Sequence, residues 1–195
     1  MNATEVPTTS FQAGALTATR RGENVVVQDH SCGNCATCQS GSRLWCTQPG
    51  DAYDLFSPIT RLDPRDLLRS LTASAAFLSA RVDPQSVVLV LDHASDDPMS
   101  IESVLRRVHP GAVFGTSNAS DKDIRARIAE ASASGRADAV VASHLARDAV
   151  KAVVRGGIVC LPADAVESPT VTELVQREVR LVGARNVHEI LERVA

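Results

Sequence analysis

No apolar run in this sequence approaches the roughly 20 residues that span a bilayer, which excludes a membrane helix. It has no basic block either. Lysine and arginine total 20 against 23 acidic residues, a net charge of −3, and that balance argues against a protein whose main task is holding nucleic acid. The opening stretch carries Glu5 and several threonines but no hydrophobic block, so no secretory signal is expected. Aromatic residues are few, with one Trp, one Tyr and four Phe. What the sequence does have is 44% hydrophobic residues across 195 positions, which rules out wholesale disorder and suffices for a real core.

Cysteine usage is more informative. Of five cysteines, Cys32, Cys35, Cys38 and Cys46 fall in one short segment and Cys160 stands alone. In a chain without an export signal such a cluster reads as metal ligation before disulfides, and implies a cytoplasmic location. The spacing C-x2-C-x2-C-x7-C lets four thiolates surround one zinc tetrahedrally, at about 2.3 Å each. With sulfur at every position no site is left for water, so the expected ion is structural, one per chain. Two disulfides or four unconnected thiols are the competing readings. The segment from His30 to Cys46 is rich in Gly, Ser and Asn and lacks periodicity, so something other than its own core must hold it.

Periodicity divides the remainder. Residues 1–20 read as a loose polar terminus, Val25–Val27 as a strand, and residues 51–66 as short strands and turns. Residues 64–81 read as a helix with Pro64 in its first turn. From Val82 the pattern alternates. Val87–Leu91 is a continuous apolar run of the kind buried on both faces of a sheet. Ile101, Val104, Leu105 and Val108 keep helical spacing up to Pro110-Gly111. Ala112–Phe114, Ala137–Ala142, Ile158–Leu161 and Val179–Val182 read as strands. Helices are expected over Asp121–Ser134, Leu145–Arg155, Thr170–Arg177 and Val187–Val194. The reading is α/β: a five-stranded parallel Rossmann-like sheet, strand order 2-1-3-4-5, with helices on both faces. A small β-rich zinc-binding lobe precedes it.

The cysteine spacing, with Gly33 after the first Cys and Gly41 after the third, resembles the structural-zinc lobe of the zinc-type alcohol dehydrogenases, the medium-chain dehydrogenase/reductase family. Gly22–Val27 resembles the strand before that lobe. Pro84–Val90, Ala137–Ala142, Arg155–Leu161 and Arg177–Gly183 resemble successive strands of the family's nucleotide-binding domain. The resemblance covers most of residues 20–195. It implies that residues 1–81 are a remnant of the catalytic domain, with the zinc lobe at 32–46, and that residues 82–195 form the Rossmann-like domain. It also implies pairing of two subunits through the last strand, around Arg180–Gly183.

The departures are equally specific. No Cys precedes the lobe, and the only His-Glu pair is His188-Glu189 in the final helix. The position of the family's third catalytic ligand falls near Thr72–Ala76, among small residues, so no catalytic zinc is expected. The glycines that admit a pyrophosphate are replaced by Leu91-Asp92-His93-Ala94-Ser95-Asp96-Asp97-Pro98. Asp97-Pro98 reads as a helix cap. The second strand ends in Thr116-Ser117-Asn118 without the acidic ribose anchor, and Lys122 or Arg125 would serve a phosphate only if a cofactor bound. NAD(P) binding in the family manner is therefore not expected.

Asp92-His93 ends the first strand of the sheet and Ser143-His144 the third. At a switch point between those strands, Asp92, His93 and His144 would supply acid–base chemistry near neutral pH to a small-molecule ligand. Solvated loop histidines are the alternative. His30 is expected beside the metal ligands, His109 at a helix terminus, Cys160 in the core as an inert thiol, and Trp45 beneath the metal loop. The expectations are a shortened, alcohol dehydrogenase-like protein with non-redox chemistry, a binding or scaffold subunit, or an NAD(P)-dependent oxidoreductase with an atypical site. A zinc ribbon for nucleic acid is disfavoured, because only Arg43 is basic nearby.

Overall fold

The computed structural model describes residues 9–92, 96–144, 146–165 and 169–194. They fall into two compact units, Met1–Leu68 and Arg69–Ala195, with the boundary inside helix α2 (Pro64–Ala80). No helix among the described residues is long and apolar enough to cross a membrane.

The first unit is a four-stranded antiparallel meander, β1 (Ser10–Ala13), β2 (Leu16–Arg21), β3 (Asn24–Ser31) and β4 (Pro49–Phe56), in that spatial order. Residues 10–21 are thus a hairpin rather than a loose terminus. Every second residue at the start of β2 is buried, Leu16 and Ala18, which is strand alternation written in small side chains. Asn24–Ser31 follows the tight turn at Gly22 and extends the Val25–Val27 core into a full strand paired on both sides. Residues 49–56 form one strand rather than several, paired antiparallel with β3 across two register shifts. The Arg20 guanidinium donates to the carbonyls of Thr60, at 2.6 Å, and Leu62, so the chain leaving the sheet is tied down.

The second unit is the five-stranded parallel sheet, in the order β6 (Val113–Thr116), β5 (Val88–Leu91), β7 (Ala137–Ala142), β8 (Val153–Leu161), β9 (Arg180–Gly183). Numbered within the sheet, that is the expected 2-1-3-4-5. The β5–β6 crossover runs through α3 (Ile101–Val108), and the β6–β7 crossover returns over β5 through α4 (Lys122–Ala131). Right-handed crossovers in opposite directions place those helices on opposite faces. On one face Leu89, Leu91, Val140 and Ala142 pack with Ile128 of α4, with Ala149 and Val150 of α5 (Ala146–Ala152), and with Leu174 of α6 (Val171–Arg177). Val88 and Val90 alternate to the other face, the side of α3 and α7 (His188–Val194), whose Ile101, Leu105 and Ile190 are fully buried. Each such side chain contributes about 1.5–3 kcal/mol of burial.

Element ends differ from the sequence reading in instructive ways. Ser100, not Asp97, caps α3: its side chain accepts from the Ser103 amide, while Asp97 accepts from Met99 one turn earlier. Helix α5 stops at Ala152 instead of Arg155, because Val153 already pairs with Ala137 as the start of β8 and the strand bulges before the main register begins at Ile158. His109 does terminate α3, and it is buried: Nε2 lies 2.9 Å from the Ser86 carbonyl and the ring meets Phe77 edge-on, at 5.3 Å between centroids.

Candidate metal centre and carboxyl-end crevice

Strand β3 delivers Cys32 directly from its last residue. Cys35 then precedes the single-turn helix α1 (Ala36–Gln39), which carries Cys38, and a 3-10 turn over Arg43–Trp45 leads to Cys46. The chain turns back because α1 is immediately closed by Ser40 and Gly41, whose amides return to the carbonyls of Ala36 and Cys38.

The sulfurs converge. All four Sγ atoms lie within 4.8 Å of one another, with Cys32–Cys46 at 3.6 Å, Cys35–Cys46 at 3.7 Å and Cys32–Cys38 at 4.0 Å. A tetrahedron of thiolates about 2.3 Å from a zinc ion has edges of about 3.8 Å, so the cage has the dimensions that ion requires. The same separations are far beyond a disulfide bond of about 2.05 Å, and all five cysteines are free thiols. Backbone amides already point at sulfur: Cys35 donates to Cys32 Sγ at 3.4 Å and Cys32 to Cys46 Sγ at 3.5 Å. The amides of Asn34 and Cys35 lower the Cys32 thiol to about 6, whereas desolvation pushes Cys38 up to about 12.

Around the cage lies a network that the sequence reading did not single out. Asp29 is 2% exposed and accepts from the Ser31 amide at 2.7 Å, the Ser31 hydroxyl at 2.9 Å and the Tyr53 hydroxyl at 3.0 Å. Arg43 Nη1 in turn donates to the Tyr53 oxygen at 3.5 Å. One buried carboxylate therefore joins the strand entering the loop to the strand leaving it. Burial and then the Asp29 carboxylate raise the Tyr53 phenol above its ordinary range. His30 is half-buried and hydrogen-bonded to Thr17. Trp45 does not pack beneath the loop: it is 46% exposed, and Leu44 takes the buried place, since a 3-10 turn sends neighbouring side chains in different directions.

At the carboxyl ends of the parallel strands, Leu91 and Ala142 are register partners on β5 and β7. Asp92 and Ser143-His144, the next residues on each, therefore emerge side by side. The Ser143 amide donates to the Leu91 carbonyl at 3.0 Å and the Asp92 amide to Thr116 at 3.1 Å, fixing both turns to the sheet. Ser143 is buried and its Oγ lies 2.5 Å from His144 Nδ1. Asp92 and His144 are half-buried. His93 lies outside the described residues. Cys160, fully buried in β8, has its thiol pushed up to about 12 by desolvation, which makes it unreactive.

No protein-family model matches the chain, and no curated protein matches it. Solved structures do. An acetophenone reductase from Geotrichum candidum, in complex with NAD, superposes with a TM-score of 0.54 at 16% identity, over 90% of this chain and 62% of that one. A D-arabinose dehydrogenase from Sulfolobus solfataricus gives 0.52 at 14% identity, over 88% and 68%. An alcohol dehydrogenase zinc-binding domain protein from Burkholderia ambifaria gives 0.54 at 14% identity, over 88% and 66%. The chain therefore has the fold of zinc-binding alcohol dehydrogenases and spans about three fifths of the length of the reductase.

Proposed function

We propose that this chain is a relative of the zinc-type alcohol dehydrogenases in which Cys32, Cys35, Cys38 and Cys46 hold one structural zinc. On this reading residues 1–81 correspond to part of the family's catalytic domain and residues 82–195 to its Rossmann-like domain. The observation that carries it is the sulfur cage, whose atoms all lie within 4.8 Å of one another, with three edges of 3.6, 3.7 and 4.0 Å, close to those of a tetrathiolate zinc. Zinc there closes the loop, lends it folding energy and offers no open coordination position. After exhaustive dialysis the purified protein should retain about one zinc per chain by metal analysis; a metal-free, folded protein would defeat the reading.

The carboxyl ends of β5 and β7 are the place where a small molecule is bound, with Asp92 and His144 as the acid–base pair and His93 next to Asp92 in sequence. Ser143 orients the His144 ring through their hydrogen bond. Nothing in Asp92–Pro98 supplies the glycine turn on which a pyrophosphate rests, so non-redox chemistry is the better-supported reading. A rise in melting midpoint with NADH or NADPH would favour the oxidoreductase instead.

Among the described residues β9 is an edge strand, which supports self-association. The sheet ends at this strand, and Leu181 on it is 38% exposed, leaving ladder groups and an apolar side chain for a second copy. Light scattering should report the mass of two chains, and Leu181→Lys should shift it to one. A monomeric wild-type protein would refute the pairing.

A further inference from the structure

The sheet face beneath α4 is incompletely covered. Helix α4 must cross over β5 to reach β7, and of its ten residues only Ile128 is buried. Between α4 and α5 this leaves a groove of about 240 Å³. Its floor is apolar, made by Leu89, Ile124, Ile128, Ala137 and Ala152.

Its rim is cationic and comes from three separate segments: Arg125 on α4, Arg136 just before β7, and Lys151 near the end of α5. Both guanidinium groups are fixed by backbone carbonyls. Arg125 Nε donates to Ala119 at 3.0 Å and Arg136 Nη1 to Lys151 at 2.8 Å. Neither is paired with a carboxylate among the described residues. Lys151 has Asp148 at 3.7 Å, in an exposed and therefore weak pair. Two preoriented guanidinium groups and an ammonium over an apolar floor form a receptor for a planar anion carrying a compact apolar body.

We propose that this groove binds a small aryl or alkyl carboxylate. Thr116 and Ala119 close one end of the groove. Arg136, Ala137, Lys151 and Ala152 flank the amino ends of β7 and β8, remote along the strands from Asp92 and Ser143-His144. Arg136 and Lys151 therefore lie away from the acid–base residues, while the opposite end of the groove, at Thr116, adjoins Asp92, whose amide donates to the Thr116 carbonyl at 3.1 Å. The carboxylate displaces water from the guanidinium N–H groups left free by the backbone bonds, and its apolar body covers Leu89 and Ile128.

Titration calorimetry of the purified full chain with 1-naphthoate tests this, with 1-naphthamide as the uncharged counterpart. One equivalent of 1-naphthoate should bind saturably. Binding should be about ten-fold weaker in Arg136→Gln and in Lys151→Gln, as expected for a lost charge-assisted hydrogen bond, and weaker by at least as much for 1-naphthamide. Ala152→Phe, which fills the floor, should abolish it. Circular dichroism checks that the variants fold; should Ala152→Phe fail to do so, the two exposed-cation variants carry the test alone. Absence of saturable binding overturns the proposal, and so does an affinity indifferent to Arg136→Gln and Lys151→Gln, which would place the ligand elsewhere, the carboxyl-end crevice included.

Discussion

Cys38→Ser should release the metal and unfold the lobe that carries it. Cys38 is the one buried ligand of the four, held on α1 at 4.0 Å from Cys32 Sγ. A serine hydroxyl neither ionises at neutral pH nor binds zinc as a thiolate does. Because a closed structural site converts binding free energy into folding free energy, an apparent value of about 10–16 kcal/mol in isolated zinc-finger peptides, losing even part of it removes most of what orders residues 32–46. Zinc content after dialysis should fall from about one per chain to near zero, and amide protection should be lost through the loop. Cys160→Ala is the control: that thiol lies within β8, so the variant should keep its metal and lose only the modest packing of one sulfur. Retention of zinc by Cys38→Ser would remove Cys38 from the ligand set.

Gly14→Ala should lower the melting midpoint by about 5–15 °C and loosen the same loop from the opposite side. Gly14 is the first of the two residues joining β1 to β2 and has φ of +59°, the position where a type II′ hairpin calls for glycine. A Cβ there would collide with the Leu44 carbonyl oxygen, which accepts from the Ala15 amide at 2.9 Å. Leu44 lies in the turn that leads to Cys46, so the collision displaces the last ligand. The left-handed backbone costs about 1–2 kcal/mol for an L side chain and the clash about 1–3 kcal/mol more. Gly22→Ala separates the two contributions, because Gly22 has φ of +63° and nothing within 4 Å of its Cβ position. Thermal melts should show Gly22→Ala losing only the backbone part; equal losses in the two variants would mean that Leu44 yields freely and the hairpin does not brace the loop.

Several features of this chain were readable one residue at a time. The cysteine cage was, because its ligands come from one short stretch and their spacing alone dictates which thiols meet. The parallel sheet was too, because Val88–Leu91 and Ala139–Ala142 are apolar without interruption, a pattern that few other environments tolerate. The β1–β2 hairpin was not. Its inward side chains are Leu16 and Ala18, too small to stand out from a polar background, and only pairing with β3 makes them core. The cap of α3 was assigned to the wrong residue for a related reason. Asp97 and Ser100 are both good caps by type, and the choice between them is made by where Ile101 becomes buried.

What the sequence determined by itself is what local spacing governs: the cluster of four thiols, the order of strands and helices in the second unit, and the lack of glycine between Asp92 and Pro98. Only the tertiary structure decided which distant residues share a place. It buried Asp29 between Ser31 and Tyr53, set Ser143 against His144 beside Asp92, turned Trp45 outward, and left a cation-rimmed groove under α4. Those outcomes depend on strand register and on how far one helix must reach across the sheet. Such quantities arise from the whole packing, since a single segment fixes its own period but not its neighbour's position.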